Sequence, residues 1–215
     1  MAHVGARAAH QPPGADPPPP TPPAQNAVPA SVIRHILRLD HGELGIIPGT
    51  AREELRGEAD GGRWVVYSVR VRQRGYRLVM PTLWPAGRAA PLDPLAGGGC
   101  SRDLLMRSDD PIAECMGGSA PGGRTVVTGV VAPGVTGVAF RGADGTVHRA
   151  ILGGDMFLFV FPRGARPEGG TLEVTRGGRT EAVPLRADSM LTANMFTYMA
   201  PRTPRSGGVP ARTAP

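Results

Sequence analysis

Between residues 125 and 185, six short apolar runs (125–131, 135–141, 146–152, 156–161, 171–176 and 180–185) are separated by glycine-rich turns. Each run has the length of a β-strand, and no helical repeat intervenes. Two of the turns, Ala143-Asp144-Gly145 and Gly177-Gly178, carry residues suited to positive φ, so the runs flanking each are predicted to pair as antiparallel hairpins. Residues 156–161 contain no polar side chain. A strand apolar on both sides must be covered on both faces, and on an open edge it would invite aggregation, so this run is expected at the centre of a sheet.

The first half of the chain is less regular. Residues 30–39 fit a short helix with Ser31 as its cap and Val32, Ile36 and Leu39 on one stripe, or a strand; the cap and the apolar spacing favour the helix. Residues 45–49 fit a short strand and turn. Residues 50–56 read as one or two helical turns, capped by Thr50 with Glu53 and Glu54 near the start. Residues 63–74 are the clearest strand outside the central stretch, with Val65, Tyr67, Val69 and Val71 on one face and Ser68, Arg70, Arg72 and Arg74 ending the other. Gly75 then turns the chain so that residues 76–84 return as the partner of a hairpin. Residues 86–123 form a long, loop-rich passage, and Met190, Leu191, Met195 and Phe196 suggest a last element packing back on the sheet.

Strands at regular spacing without intervening helices define a mainly β fold, an antiparallel β-sandwich or small barrel of immunoglobulin-like general type with minor short helices and disordered termini. Proline dominates residues 1–30, which read as an extended linker, and residues 201–215 read as a disordered tail. Between them, residues 31–123 form the hairpin and loop-rich part and residues 124–200 the antiparallel scaffold, the two packed as one domain.

Charge changes this picture little. All 24 basic residues are arginine, against 18 acids, and the tail from residue 201 adds three arginines with no acid. The surplus on the folded part is therefore small, and nothing specific to nucleic acid stands out. The local exception is residues 63–77, which hold five arginines and no acid. Arg70, Arg72 and Arg74, alternating on one strand face, are the candidate binding ridge, suited to carboxylate or phosphate groups of an acidic polymer or to a protein partner. The competing reading is a solvated outer face whose charges protect the sheet.

Cys100 and Cys115, the only two cysteines, are expected to form a disulfide that closes the loop-rich passage. A disulfide favours an extracytoplasmic location. No signal peptide and no apolar run of membrane-spanning length is recognisable. Catalytic alternatives use the same loops: Cys100 or Ser101 as nucleophile, His148 as base, and Asp103, Asp109, Asp110 or Asp155 to orient it. No local signature accompanies them, and His148, within an alternating run, is expected to face solvent. His35 and His41 lack the partners a metal site needs, and no metal or cofactor is expected.

The stretch 130–145, followed by Asp155 and the apolar run 156–161, resembles a pattern found in uncharacterised, exported, β-rich proteins of high-GC bacteria. The resemblance rests on valine alternation and an Asp-Gly turn, and it implies an envelope location without transferring an activity or site residues. The sequence thus leads to a non-enzymatic envelope or extracellular binding domain of unspecified oligomeric state. A hydrolase or transferase with its site in the 86–123 loops is the alternative.

Overall fold

A computed structural model describes residues 28–39, 45–72, 76–88, 90–92, 94–95, 98–101, 110–165, 170–185, 189 and 191. Residues 1–27 of the expected linker, the C-terminal tail, Arg74 and His41 lie outside these residues, and Ala30, the linker's last residue, opens a helix. The described chain forms one α-helix, α1 (Ala30–Leu39), a single 3-10 turn (Pro121–Gly123) and three antiparallel four-stranded sheets. The first sheet has β1 (Ile46–Ala59), β2 (Gly62–Val71), β3 (Tyr76–Trp84) and β4 (Gly98–Ser101) in that order. The second comprises β5 (Ile112–Ala120), β6 (Arg124–Val131), β9 (Ile151–Gly153) and β10 (Met156–Phe161), in the order β5-β6-β10-β9. The third comprises β7 (Val135–Arg141), β8 (Val147–Arg149), β11 (Thr171–Arg176) and β12 (Arg179–Val183), in the order β12-β11-β7-β8.

Alternation along the strands stacks these sheets into layers. Trp64 and Val66 of β2 and Val79 and Leu83 of β3 face one way, meeting Val126 and Val130 of β6 and Met156, Leu158 and Val160 of β10. The intervening residues of the second sheet, Val127, Val131, Phe157, Phe159 and Phe161, point the other way and bury Val138, Phe140, Leu172 and Val174 of the third. On the far side of the first sheet, Val65, Tyr67, Val69, Leu78 and Met80 are covered by Val32 and Ile36 of α1. The order is therefore helix, sheet, sheet, sheet, and the two inner sheets have no solvent face over much of their area. All six side chains of β10 are buried, with alternate partners on its two sides. At roughly 1.5–3 kcal/mol for burying each large apolar side chain, this strand anchors two cores at once.

Several sequence expectations hold in detail. The strand at 156–161 is an inner strand, paired without interruption from Met156–Val130 to Phe161–Thr125. Both hairpin turns form: Gly177 and Gly178 have φ of 56° and 77° between β11 and β12, and Asp144 accepts the Thr146 amide at 2.9 Å between β7 and β8. Helix α1 forms over the expected residues, but the amides of Val32 and Ile33 both reach the Pro29 carbonyl, which places Ser31 inside the first turn and not at the cap.

Other expectations are corrected. Residues 50–56 are not helical but part of β1. Thr50 does satisfy backbone groups, as a cap would, but at an irregularity in the strand pair: its hydroxyl donates to the Ile47 carbonyl at 2.7 Å and accepts the Arg70 amide at 2.9 Å. The run 146–152 is not one strand, because Ala150 carries the chain across from β8 in the third sheet to β9 in the second. The 124–200 stretch thus builds two sheets, and the passage 86–123, read as loops, supplies β4 and β5. Beyond β12, Leu191 is buried in the core between the second and third sheets, and the Ser189 hydroxyl donates to Glu114 of β5 at 2.6 Å.

Candidate functional site

The even-numbered face of β2 begins as core. Trp64 and Val66 are buried between the first and second sheets, Ser68 is buried beyond them, and only at Arg70 does the face open to solvent. The solvated outer face read from the sequence is therefore confined to the strand's end. Where the core stops, charge takes over. Arg77 of β3, the cross-strand partner of Arg70, bridges Glu54 Oε1 and Asp155 Oδ2 at 2.9 Å each. The side chains of Arg77, Glu54 and Asp155 are only 12%, 9% and 16% exposed. Glu54 also accepts from the Ser68 hydroxyl and from Arg52 Nε at 3.0 Å. The guanidinium thus ties β1, β3 and the β9–β10 turn together, closing one end of the core between the first two sheets. Arg124 does the same at the β1–β2 turn, where it pairs with the Asp60 carboxylate and donates to the Asp60 carbonyl at 3.0 Å.

Glu54 occupies its place because of a bulge. Glu53 pairs with Tyr67 and Leu55 with Val66, which leaves Glu54 as the extra residue of β1. A bulge re-aims a side chain out of simple alternation, so neither a helical nor a two-residue period in the sequence reveals it. The sequence reading took Glu54 as a helix-start residue and Asp155 as a candidate to orient His148, and it placed neither on Arg77. The local signal available was Arg77 itself, a charge beside the buried run 78–83 that needed an acid from elsewhere in the fold.

The ridge residues lie outside this cluster. Arg70 and Arg72 are exposed, and neither forms an ion pair among the described residues. Their backbone is fixed: the Arg70 amide is held by Thr50, the Arg72 amide donates to the Gly45 carbonyl at 2.9 Å, and the Arg72 stem lies over Gly45. A Cβ on Gly45 would fall 2.8 Å from Arg72 Cδ, and its φ of +59° disfavours other residues there. Two exposed guanidinium groups on pinned backbone offer anion contacts with little ordering cost to the strand.

No family model, curated protein or solved structure matches this chain. The site is therefore read from its own chemistry.

The cysteines meet across two layers. The sulfurs of Cys100 in β4 and Cys115 in β5 are at bonding distance, with Cα atoms 5.0 Å apart, and the link joins the first sheet to the second. Cys115, too, is a bulge residue: Glu114 pairs with Gly129 and Met116 with Thr128, leaving Cys115 unmatched and turned toward the first sheet. Among the described residues, Cys100, His148 and Asp155 of the catalytic alternatives are engaged separately and do not meet. The Cys100 sulfur is engaged, Asp155 holds Arg77, and His148 lies edge-on to Phe161 at 5.0 Å in the third sheet. The side chains of Ser101, Asp103 and Asp109 lie outside the described residues. His35 contacts Arg38, and no group of three potential metal ligands occurs among the described residues. No described helix is long and apolar enough to cross a membrane.

His148 does not stand free in solvent as the alternation suggested. Its phase matches Phe140, its partner across β7, and burial pushes the imidazole below its ordinary value, with Asp144 opposing the shift. With the lower value in the folded state, the unfolded chain takes up this proton first as pH falls. The stability contributed by His148 is thus present above about pH 6.5 and is lost as pH drops through the folded value. An NMR titration of the His148 ring should give a midpoint below that of an unstructured peptide; a midpoint at or above it would contradict burial of the ring.

Proposed function

We propose that this chain is a non-enzymatic extracytoplasmic binding domain that holds an acidic polymer along the Arg70, Arg72 and Arg74 ridge. The observation that carries the reading is the division of labour among arginines at one end of the first sheet. Arg77 is consumed by two carboxylates inside the fold, whereas Arg70 and Arg72, on the same sheet face, remain exposed on fixed backbone. Arg74 continues the same sequence alternation. Closely spaced guanidinium groups suit a chain of carboxylates or phosphates better than one isolated anion, since each repeat can meet a new fork. The cysteine pair that joins the first two sheets supports an oxidising compartment.

Replacing Arg70 and Arg72 together by Gln is expected to weaken retention on an immobilised polycarboxylate about tenfold at moderate salt, as two charge-assisted contacts are lost. Thermal unfolding should be nearly unchanged, because neither side chain is buried. Unchanged retention by a folded double variant would refute the ridge as the binding surface.

A further inference from the structure

At the opposite end of β2 from the ridge, the first sheet carries a second constellation of charged and aromatic groups. Arg63 lies seven residues from Arg70, about 23 Å along an extended strand. Its guanidinium sits over the Trp84 indole, 4.6 Å from the ring centroid. This cation–π contact holds the Arg63 cation beside the indole. Beside the pair, the Asp60-Gly61 turn and the Pro85-Arg88 turn bound a cleft of about 680 Å³. Its volume falls in the range of small-ligand sites, which span roughly 300–1,000 Å³.

The chemistry of the lining is specific. Arg63 and Arg88 are exposed and form no ion pair among the described residues. Asp60 is already committed to Arg124, so Glu58 is the acid left to face the cleft. Gly61 and Gly87 have φ of +70° and +73°, and a Cβ on either would meet nothing within 4 Å, so the two turns present bare backbone to open space. Trp84 and Pro85 supply apolar wall. The cleft therefore offers two cationic forks, one carboxylate acceptor and an apolar surface within one small volume.

We infer that this cleft is a second binding site, separate from the ridge, for a small sugar bearing a carboxylate or phosphate group. Arg63 and Arg88 take the anion, Glu58 accepts hydroxyl donors, and the C–H face of the ligand lies against Pro85 and the indole edge. A neutral sugar lacks the group that would pair with the two guanidinium forks and leaves them unused.

Isothermal titration calorimetry of the full chain with galacturonate, glucose 1-phosphate and glucose tests this. Saturable binding of at least one of the two anionic sugars is expected, with glucose at least tenfold weaker, and the response to galacturonate against glucose 1-phosphate identifies which anion the site takes. The Arg88→Gln variant should weaken binding about tenfold, the loss of one charge-assisted contact. Arg88 sits on an exposed turn, so this variant keeps the test valid if Arg63→Gln, which also loses the indole contact, folds poorly. The R70Q/R72Q variant should bind the small sugars as the parent does, which separates this site from the ridge. Absence of binding by both anionic sugars up to about 10 mM, equal binding of glucose, or an unchanged affinity in Arg88→Gln would overturn the inference.

Discussion

Alanine in place of Gly129 is expected to destabilise the oxidised protein by about 3 kcal/mol, at the upper end of overpacking effects. Gly129 lies in β6, opposite Glu114 on one side and Phe157 on the other. A Cβ there would intrude on the Ala113 carbonyl oxygen and come within 2.7 Å of Phe157 Cε1. One neighbour is backbone and the other a ring buried between two sheets, so neither can yield cheaply. The consequence reaches beyond packing, because Ala113 and Glu114 lead into the bulge that turns Cys115 toward Cys100. Gly49→Ala is the control: its Cβ would meet nothing within 4 Å, and its effect should stay within about 0.5 kcal/mol. Urea unfolding of both variants beside the parent decides the matter, and equal midpoints for Gly129→Ala and the parent would contradict the close approach of β5 to β6.

Replacing Arg77 by Met is expected to cost about 3 kcal/mol or more, because it removes the guanidinium from between two largely buried carboxylates. The size of the loss reflects the charges left behind as much as the pair itself. The triple variant Arg77→Met, Glu54→Gln, Asp155→Asn should therefore be more stable than Arg77→Met alone, although it retains fewer of the native interactions. Arg52→Gln, by contrast, removes a contact whose arginine side chain is 60% exposed, and it should change stability little. A triple variant less stable than the single one would show that the cluster acts through shape and not through charge.

Whatever depended on alternation and turn chemistry was legible in the sequence. The buried strand at 156–161, the Asp144-Gly145 and Gly177-Gly178 turns, the 63–84 hairpin and the helix over 30–39 all rest on periods that local residues impose. The stacking of three sheets was not legible, because a strand covered by another sheet and one covered by a helix show the same apolar residues. Val65 and Val66 illustrate this: one faces α1 and the other the second sheet, with no difference in side chain. Residues 50–56 misled because Thr50, Glu53 and Glu54 have the order of a helix start, while the partners that make them a strand, Arg70 and Tyr67, lie well along the chain. The residues that fasten the layers were hidden for a related reason. Glu54 and Cys115 are both bulge residues, and a bulge is set by the partner strand. For the cysteines the chemistry compensated, since a pair of thiols suggests its own bond. Nothing comparable announced that Glu54 and Asp155 would converge on Arg77.

The fastenings lie around a shared core: Arg77 at one end, Arg124 at the other, and the cysteine pair along the β4–β5 edge. At the β1–β9 edge, Gly153 lets the chains approach so closely that a Cβ would fall 2.6 Å from Leu55 Cβ. Of these, the cysteine bond bears most directly on where the protein works and on what holds its first two sheets together. Intact-mass counting of alkylated thiols, on protein prepared without reductant and unfolded in iodoacetamide, measures it. No adduct before reduction and two after it are the expected result. Two adducts without reduction would contradict both the covalent link between the sheets and the proposed extracytoplasmic binding role.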